Sequence, residues 1–302
     1  MHNYTITYLS KSTNLLTSNH KPMKRHLPEH QKVIANAIAR AAGICKVYLL
    51  GVATELQSYS IFSHWAYTDI NYKPGFNPNA CFVFVLIDAE GPRSIHVVRE
   101  KIERLSLHNV TIIPWVMSRI KFRQLLNSGD YFANCVHNNS LLWHDAMPEA
   151  LINNEEQTNR SDTHLKPIHE EAIAFAQRAY SFMAGVELYM GRKEYALAAL
   201  LLHQSAEQLF TALIFAQTGY RPQSHNLERL YQYARFICPA LAVVQHETPE
   251  FIPQLLQLTK AYLESRYGSC QVTQFTLQAV AGRLYQLHLT VTGTASIVHN
   301  AA

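Results

Sequence analysis

The sequence predicts a two-domain α+β protein, with a small α/β domain followed by an all-α helical bundle. Three observations predict it. Before residue 147, short β-rich runs such as Lys46–Val52 and Ala80–Asp88 alternate with helical spacings, whereas from Ile168 onward the strong signals are helical. Between them, Met147–Pro148–Glu149 and the polar run NNEEQTNRSDTH are poor in apolar residues and rich in Asn, Asp and Ser, the composition of a linker. Finally, Tyr195 to Thr218 holds no Pro or Gly and is built from strong helix formers, with Gly219 and Pro222 as stop signals. The resulting division is a polar arm over 1–28, an α/β domain over 29–146, a linker over 147–165 and a bundle over 166–295.

In the first domain, Val33, Ile34, Ala37, Ile38 and Ala41 give a helix over Glu29–Ala42 that Gly43 ends. Lys46–Val52 reads as a strand. Ala80–Asp88 is apolar nearly throughout, as in a central strand covered on both faces. Ser94–Leu107 reads as an amphipathic helix. Val110–Val116 is a third strand, which Pro114 pushes toward an edge or its end. Ser118–Cys135 reads as one helix and Ser140–Trp143 as a last short strand.

In the bundle, Ile168, Ala172, Phe175, Ala179, Phe182, Val186 and Met190 make one stripe of a first helix. The central helix, of about six turns, follows from Tyr195. It is apolar on most faces, but His203, Gln204, Glu207, Gln208 and Thr211 recur at spacings of three and four and form one polar stripe. A third helix begins at His225–Asn226–Leu227. Thr248–Pro249–Glu250 marks the start of a fourth, with Thr as N-cap and Pro at the first helical position. A fifth runs from about Gln271 to Leu289 with Leu277, Val280, Leu284 and Leu287 as a seam, and the tail from Thr292 reads as unstructured.

Tyr195, Ala199, His203–Gln204, Ala206–Glu207, Leu209, Gly219, Pro222, His225 and Leu227 together resemble the HEPN domain, and Tyr262-x-x-Ser265–Arg266–Tyr267 is similar to its second landmark. The resemblance covers about residues 166 to 295. It implies a helical up-and-down bundle, usually dimeric, in a family of nucleotide-binding modules, nucleotidyltransferase partners and metal-independent ribonucleases. The order of elements in the first domain resembles the minimal nucleotidyltransferase fold, often found beside HEPN domains. Here the sequence departs from the family pattern. Gly51 is followed by Val52 instead of Ser, and the second strand opens Asn77–Pro78–Asn79–Ala80–Cys81 without the paired aspartates that hold magnesium. The resemblance therefore implies a catalytically dead nucleotidyltransferase-like domain; a different small α/β fold also fits these elements.

A formal charge of +4 permits contact with RNA or nucleotides without requiring it. Five cysteines, odd in number and far apart, fit neither a disulfide framework nor a zinc ribbon, and point to reduced, cytoplasmic residence. No apolar run is expected to be long enough to cross a bilayer. The sixteen histidines do not fall in metal-ligating spacings, and neither a metal nor another cofactor is expected.

Two readings of the polar stripe follow. Polar groups inside a bundle must find partners, so the stripe can be a network that fixes helix register. Alternatively it lines a groove presenting His203, Gln204, Glu207, His225, Arg266 and Tyr267 to a nucleotide, with the Arg taking phosphate and the Tyr stacking on the base. The expected function is binding of a nucleotide, an RNA or a protein partner, in a toxin–antitoxin-like setting, by a homodimer formed through the helical domain, with no membrane involved. The alternative is a ribonuclease using Arg283 and His288, whose separation fits the family's Arg-x4-His motif. Five positions along a regular helix set the two side chains about 140° apart, and Leu284 stands where the family carries a polar residue. Whether the protein is an enzyme stays open at this point.

Overall fold

The computed structural model describes residues 29–43, 45–54, 58–62, 78–88, 92–105, 107, 109–146, 165–238, 241, 250–265 and 272–299. The arm 1–28, most of the linker, Thr248–Pro249, Arg266 and Tyr267 lie outside these residues. In chain order the elements are α1 (Glu29–Ala42), β1 (Cys45–Ala53), β2 (Ser58–Ser60), β3 (Ala80–Ile87), α2 (Pro92–Glu103), β4 (Thr111–Ser118), α3 (Arg119–Asn127), α4 (Tyr131–Asn139) and β5 (Leu141–Asp145). The bundle follows as α5 (Leu165–Gly191), α6 (Tyr195–Thr218), α7 (Leu227–Ile237), α8 (Phe251–Ser265) and α9 (Gln274–His299).

The sheet is mixed. β1 is antiparallel to β3, while β3 and β4 run parallel. β2 and β5 both pair with β1, at Gly51–Ala53 and Lys46–Leu49 respectively. Every residue of β3 is buried, as its unbroken apolar run predicts. Its side chains alternate between two cores: Cys81, Val83, Val85 and Ile87 pack with Ile34, Ile38 and Ile102 of α1 and α2, while Phe82, Phe84 and Leu86 pack toward α3, α4 and the bundle.

β4 pairs with β3 alone among the described strands, an edge that suits its proline. The Pro114 carbonyl accepts from the Tyr233 hydroxyl at 2.8 Å, on the side facing the bundle. Gly51 sits where β1 shifts register between Leu49 and Gly51. A Cβ there would meet the Tyr59 carbonyl oxygen at 2.5 Å, so β2 can approach β1 only over a glycine.

Three expectations are corrected, and one strand is added to them. Ser118–Cys135 is two helices, because Gly129 adopts φ 72° and Asp130 restarts the chain as an N-cap, accepting from the Ala133 amide at 2.9 Å. The three residues of β2, Ser58–Ser60, carry no strand signal of their own and are held by pairing with β1. The tail from Thr292 continues α9 as helix to His299. α6 also meets a membrane-span criterion by length and mean hydropathy (24 residues, 1.2), contrary to expectation; most of it is buried against the rest of the chain.

The core on the bundle side of the sheet continues without a break into the helices. Trp115 stacks on Tyr233 (centroids 5.1 Å apart, 6° between planes), and Phe82 meets Phe236 at 5.2 Å. Arg229 of α7 makes a two-pronged ion pair with Glu103 of α2 (2.8 and 2.9 Å), and the Ser58 hydroxyl donates to the Arg235 carbonyl. α7 is therefore the helix that fixes the bundle to the sheet. α6 touches α5, α7, α8 and α9, and is the axis of the bundle.

Candidate functional site

α6 ends as its sequence predicts. Gly219 takes φ 65° and its amide donates to the Phe215 carbonyl at 2.8 Å. The chain then crosses 220–226 without regular structure before Asn226 caps α7, accepting from the Arg229 amide. This crossing carries His225 back to the polar stripe of α6, while Arg221 lies over the Phe175 ring of α5.

The stripe divides in two. His203, Glu207 and Thr211, each four residues apart, are buried; Gln204 and Gln208 are half-buried. Glu207 does not bond His203. Its Oε1 accepts from His225 Nδ1 at 3.0 Å, and the His225 side chain is 85% exposed whereas that of Glu207 is 10% exposed. The second carboxylate oxygen, Oε2, is buried and has no hydrogen-bond partner.

His203 is fully buried, and its ring stacks on Tyr262 of α8 with centroids 4.0 Å apart and 12° between planes. Neither ring nitrogen has a partner. Burial, helped by the nearby His225, lowers its pKa to about 4, so the ring is neutral at physiological pH. His203 thus supports Tyr262 from beneath and does not itself line an open surface.

Of the six residues predicted to hold a nucleotide, the structure joins Glu207 to His225, leaves Gln204 half-buried on the next strip of α6, and sinks His203 under Tyr262. Arg266 and Tyr267 follow directly on the end of α8 and lie outside the described residues. Sequence reasoning missed Tyr262 as the aromatic partner, although it belongs to the second landmark. It also missed Arg178 of α5, whose Nε donates to Gln208 Oε1 at 3.3 Å.

Arg283 and His288 do not converge. The Arg283 guanidinium lies 5.3 Å from the Phe251 ring of α8, with Nη1 buried and unpartnered. The His288 ring stacks on Tyr180 of α5 at 5.2 Å, and burial lowers its pKa. The two face opposite neighbours, as their spacing along α9 requires. Among the described residues no group of His, Cys, Asp and Glu could hold a metal ion.

The family model of the HEPN domain matches residues 173–283, from within α5 to within α9. Residues 173–283 are the part of this chain that the HEPN family model shows, and α6 with its stripe lies wholly within them. No curated protein matches the chain significantly.

Proposed function

We propose that this HEPN-domain protein binds a nucleotide, free or as part of an RNA, in the groove between α6 and the 220–226 segment. Glu207 Oε2 carries the reading. A carboxylate oxygen buried without a partner costs about 1–3 kcal/mol, which a ligand N–H or O–H would recover on binding. Nucleotides bring such donors on the base and on the ribose. His225, almost wholly exposed and bonded to the other carboxylate oxygen, orients the acceptor from the solvent side. Gln204 and Gln208 add amide donors and acceptors along the same wall.

The sheet domain serves as a nucleotidyltransferase-like partner domain without its own chemistry. Val52, where the resembling family carries a hydroxyl, is buried in the core toward α1 and α2, and Gly51 answers to the approach of β2. The protein acts as a homodimer through the helical domain, in a toxin–antitoxin-like setting. Tyr180 and Leu188 of α5, and Tyr285 and Leu289 of α9, leave large apolar surface exposed and are the surface offered to the second copy.

Calorimetric titration with ATP, GTP and a short single-stranded RNA tests the binding. At least one should give saturable heat that Glu207→Gln abolishes. Absence of heat with all three would leave the stripe a purely structural feature.

A further inference from the structure

Two arginines outside the predicted set share one aromatic ring. The Arg178 guanidinium lies 4.6 Å from the centroid of Phe175, and that of Arg221 lies 5.1 Å from the same centroid. Phe175 is itself buried and fixed edge-on against Phe215, so the ring is a rigid seat for both cations. Both arginines are exposed, and among the described residues neither is in an ion pair. With both guanidinium carbons within about 5 Å of one centroid, the two cations are no more than about 10 Å apart, and an anion bridging them is favoured by both charges.

Their position relates them to the groove. Arg178 is tied through its Nε to Gln208, the residue next to Glu207 on α6, which leaves its terminal nitrogens for another acceptor. Arg221 sits four residues before His225, the residue of the same segment that meets Glu207. The carboxylate and the two arginines are thus linked through consecutive residues of α6 and through one short segment, 221–225, which is the neighbourhood a base or sugar and its phosphate require.

Resting on the nucleotide reading above, we infer that Arg178 and Arg221 clamp the phosphate of a nucleoside 5′-phosphate, presented free or as the 5′ end of an RNA. Fork-shaped guanidiniums hold phosphate oxygens two at a time, and the cation–π seat pre-orders both side chains before the ligand arrives.

The test compares adenosine and guanosine with AMP and GMP, and a 5′-phosphorylated hexaribonucleotide with its 5′-hydroxyl form. Each is titrated calorimetrically into the wild-type protein and into the Arg178→Gln/Arg221→Gln variant. Both arginines are exposed, so thermal melting should show the variant folded as wild type. The wild type should bind a monophosphate at least about tenfold more tightly than its nucleoside, and the variant should bind the two equally, at the nucleoside level. Preference for the phosphorylated hexamer over GMP would assign an RNA end, and the reverse a free nucleotide; either supports the clamp. If nucleosides bind but the monophosphate preference is absent in wild type or survives in the variant, the clamp is overturned and the nucleotide reading stands. If nothing binds, both fall.

Discussion

Replacing Glu207 with methionine separates a structural stripe from a binding one. Methionine is close in volume and removes both carboxylate oxygens. In the folded chain the substitution loses one hydrogen bond, to a histidine whose side chain is 85% exposed, a contact worth at most about 1 kcal/mol in water. It also relieves the buried, unpartnered Oε2, whose desolvation costs about 1–3 kcal/mol, and adds apolar burial at a site that is 8% exposed. The balance favours the variant by about 1–2 kcal/mol. Urea unfolding followed by circular dichroism reads this as a higher midpoint at unchanged slope. Ligand binding should be lost at the same time, as in sites where stability is given up for function. If Glu207 were instead a satisfied member of a network that fixes helix register, its removal would destabilise the protein by about 3–5 kcal/mol, and that result would refute the reasoning.

Three further tests probe the frame around the site. His203 has a folded pKa of about 4 against an ordinary 6.5, so the unfolded chain takes up a proton that the folded one refuses. Stability should fall as pH drops from 6.5 to 4, by up to about 3 kcal/mol, and His203→Phe, which keeps the stack on Tyr262, should flatten that slope. A double-mutant cycle of Arg229→Met and Glu103→Gln should give a coupling of about 1–2 kcal/mol, because the two-pronged pair is partly shielded (15% and 31% exposed); a coupling near zero would mean the halves are held by aromatic packing alone. Gly51→Ala should cost about 2–3 kcal/mol in thermal or urea unfolding, since its methyl would meet the Tyr59 carbonyl oxygen at 2.5 Å and force β2 off β1.

Much of the frame was legible because it depends on local pattern. The unbroken apolar run of β3 announced a strand buried on both faces, Pro114 announced an edge, and Gly219 announced the end of α6. The break at Ser128–Gly129 was legible in principle. Apolar spacing on both sides of it stays helical, so the left-handed glycine and the Asp130 cap were the only signals. β2 left no trace, because three residues gain strand geometry only from the neighbour that pairs with them. At the site, the His203 to Thr211 stripe was visible in sequence, but its split into buried and half-buried strips was not. That split depends on which helices cover α6, and the His203–Tyr262 stack joins residues from different helices far apart in the chain. Arg178 and Arg221 escaped notice because each alone reads as a solvated surface charge. Only the fold brings both to Phe175.

The most direct test of the groove is to watch its histidines by nuclear magnetic resonance while a nucleotide is added. With GMP titrated into the protein, the ring signals of His225 and of His203, one turn from Glu207 on α6, should shift in step with saturation, identified by their loss in His225→Gln and His203→Phe. Those of His288 and the histidines of the sheet domain should stay in place. Saturable binding that leaves the His225 signal unmoved would place the ligand elsewhere and contradict the account.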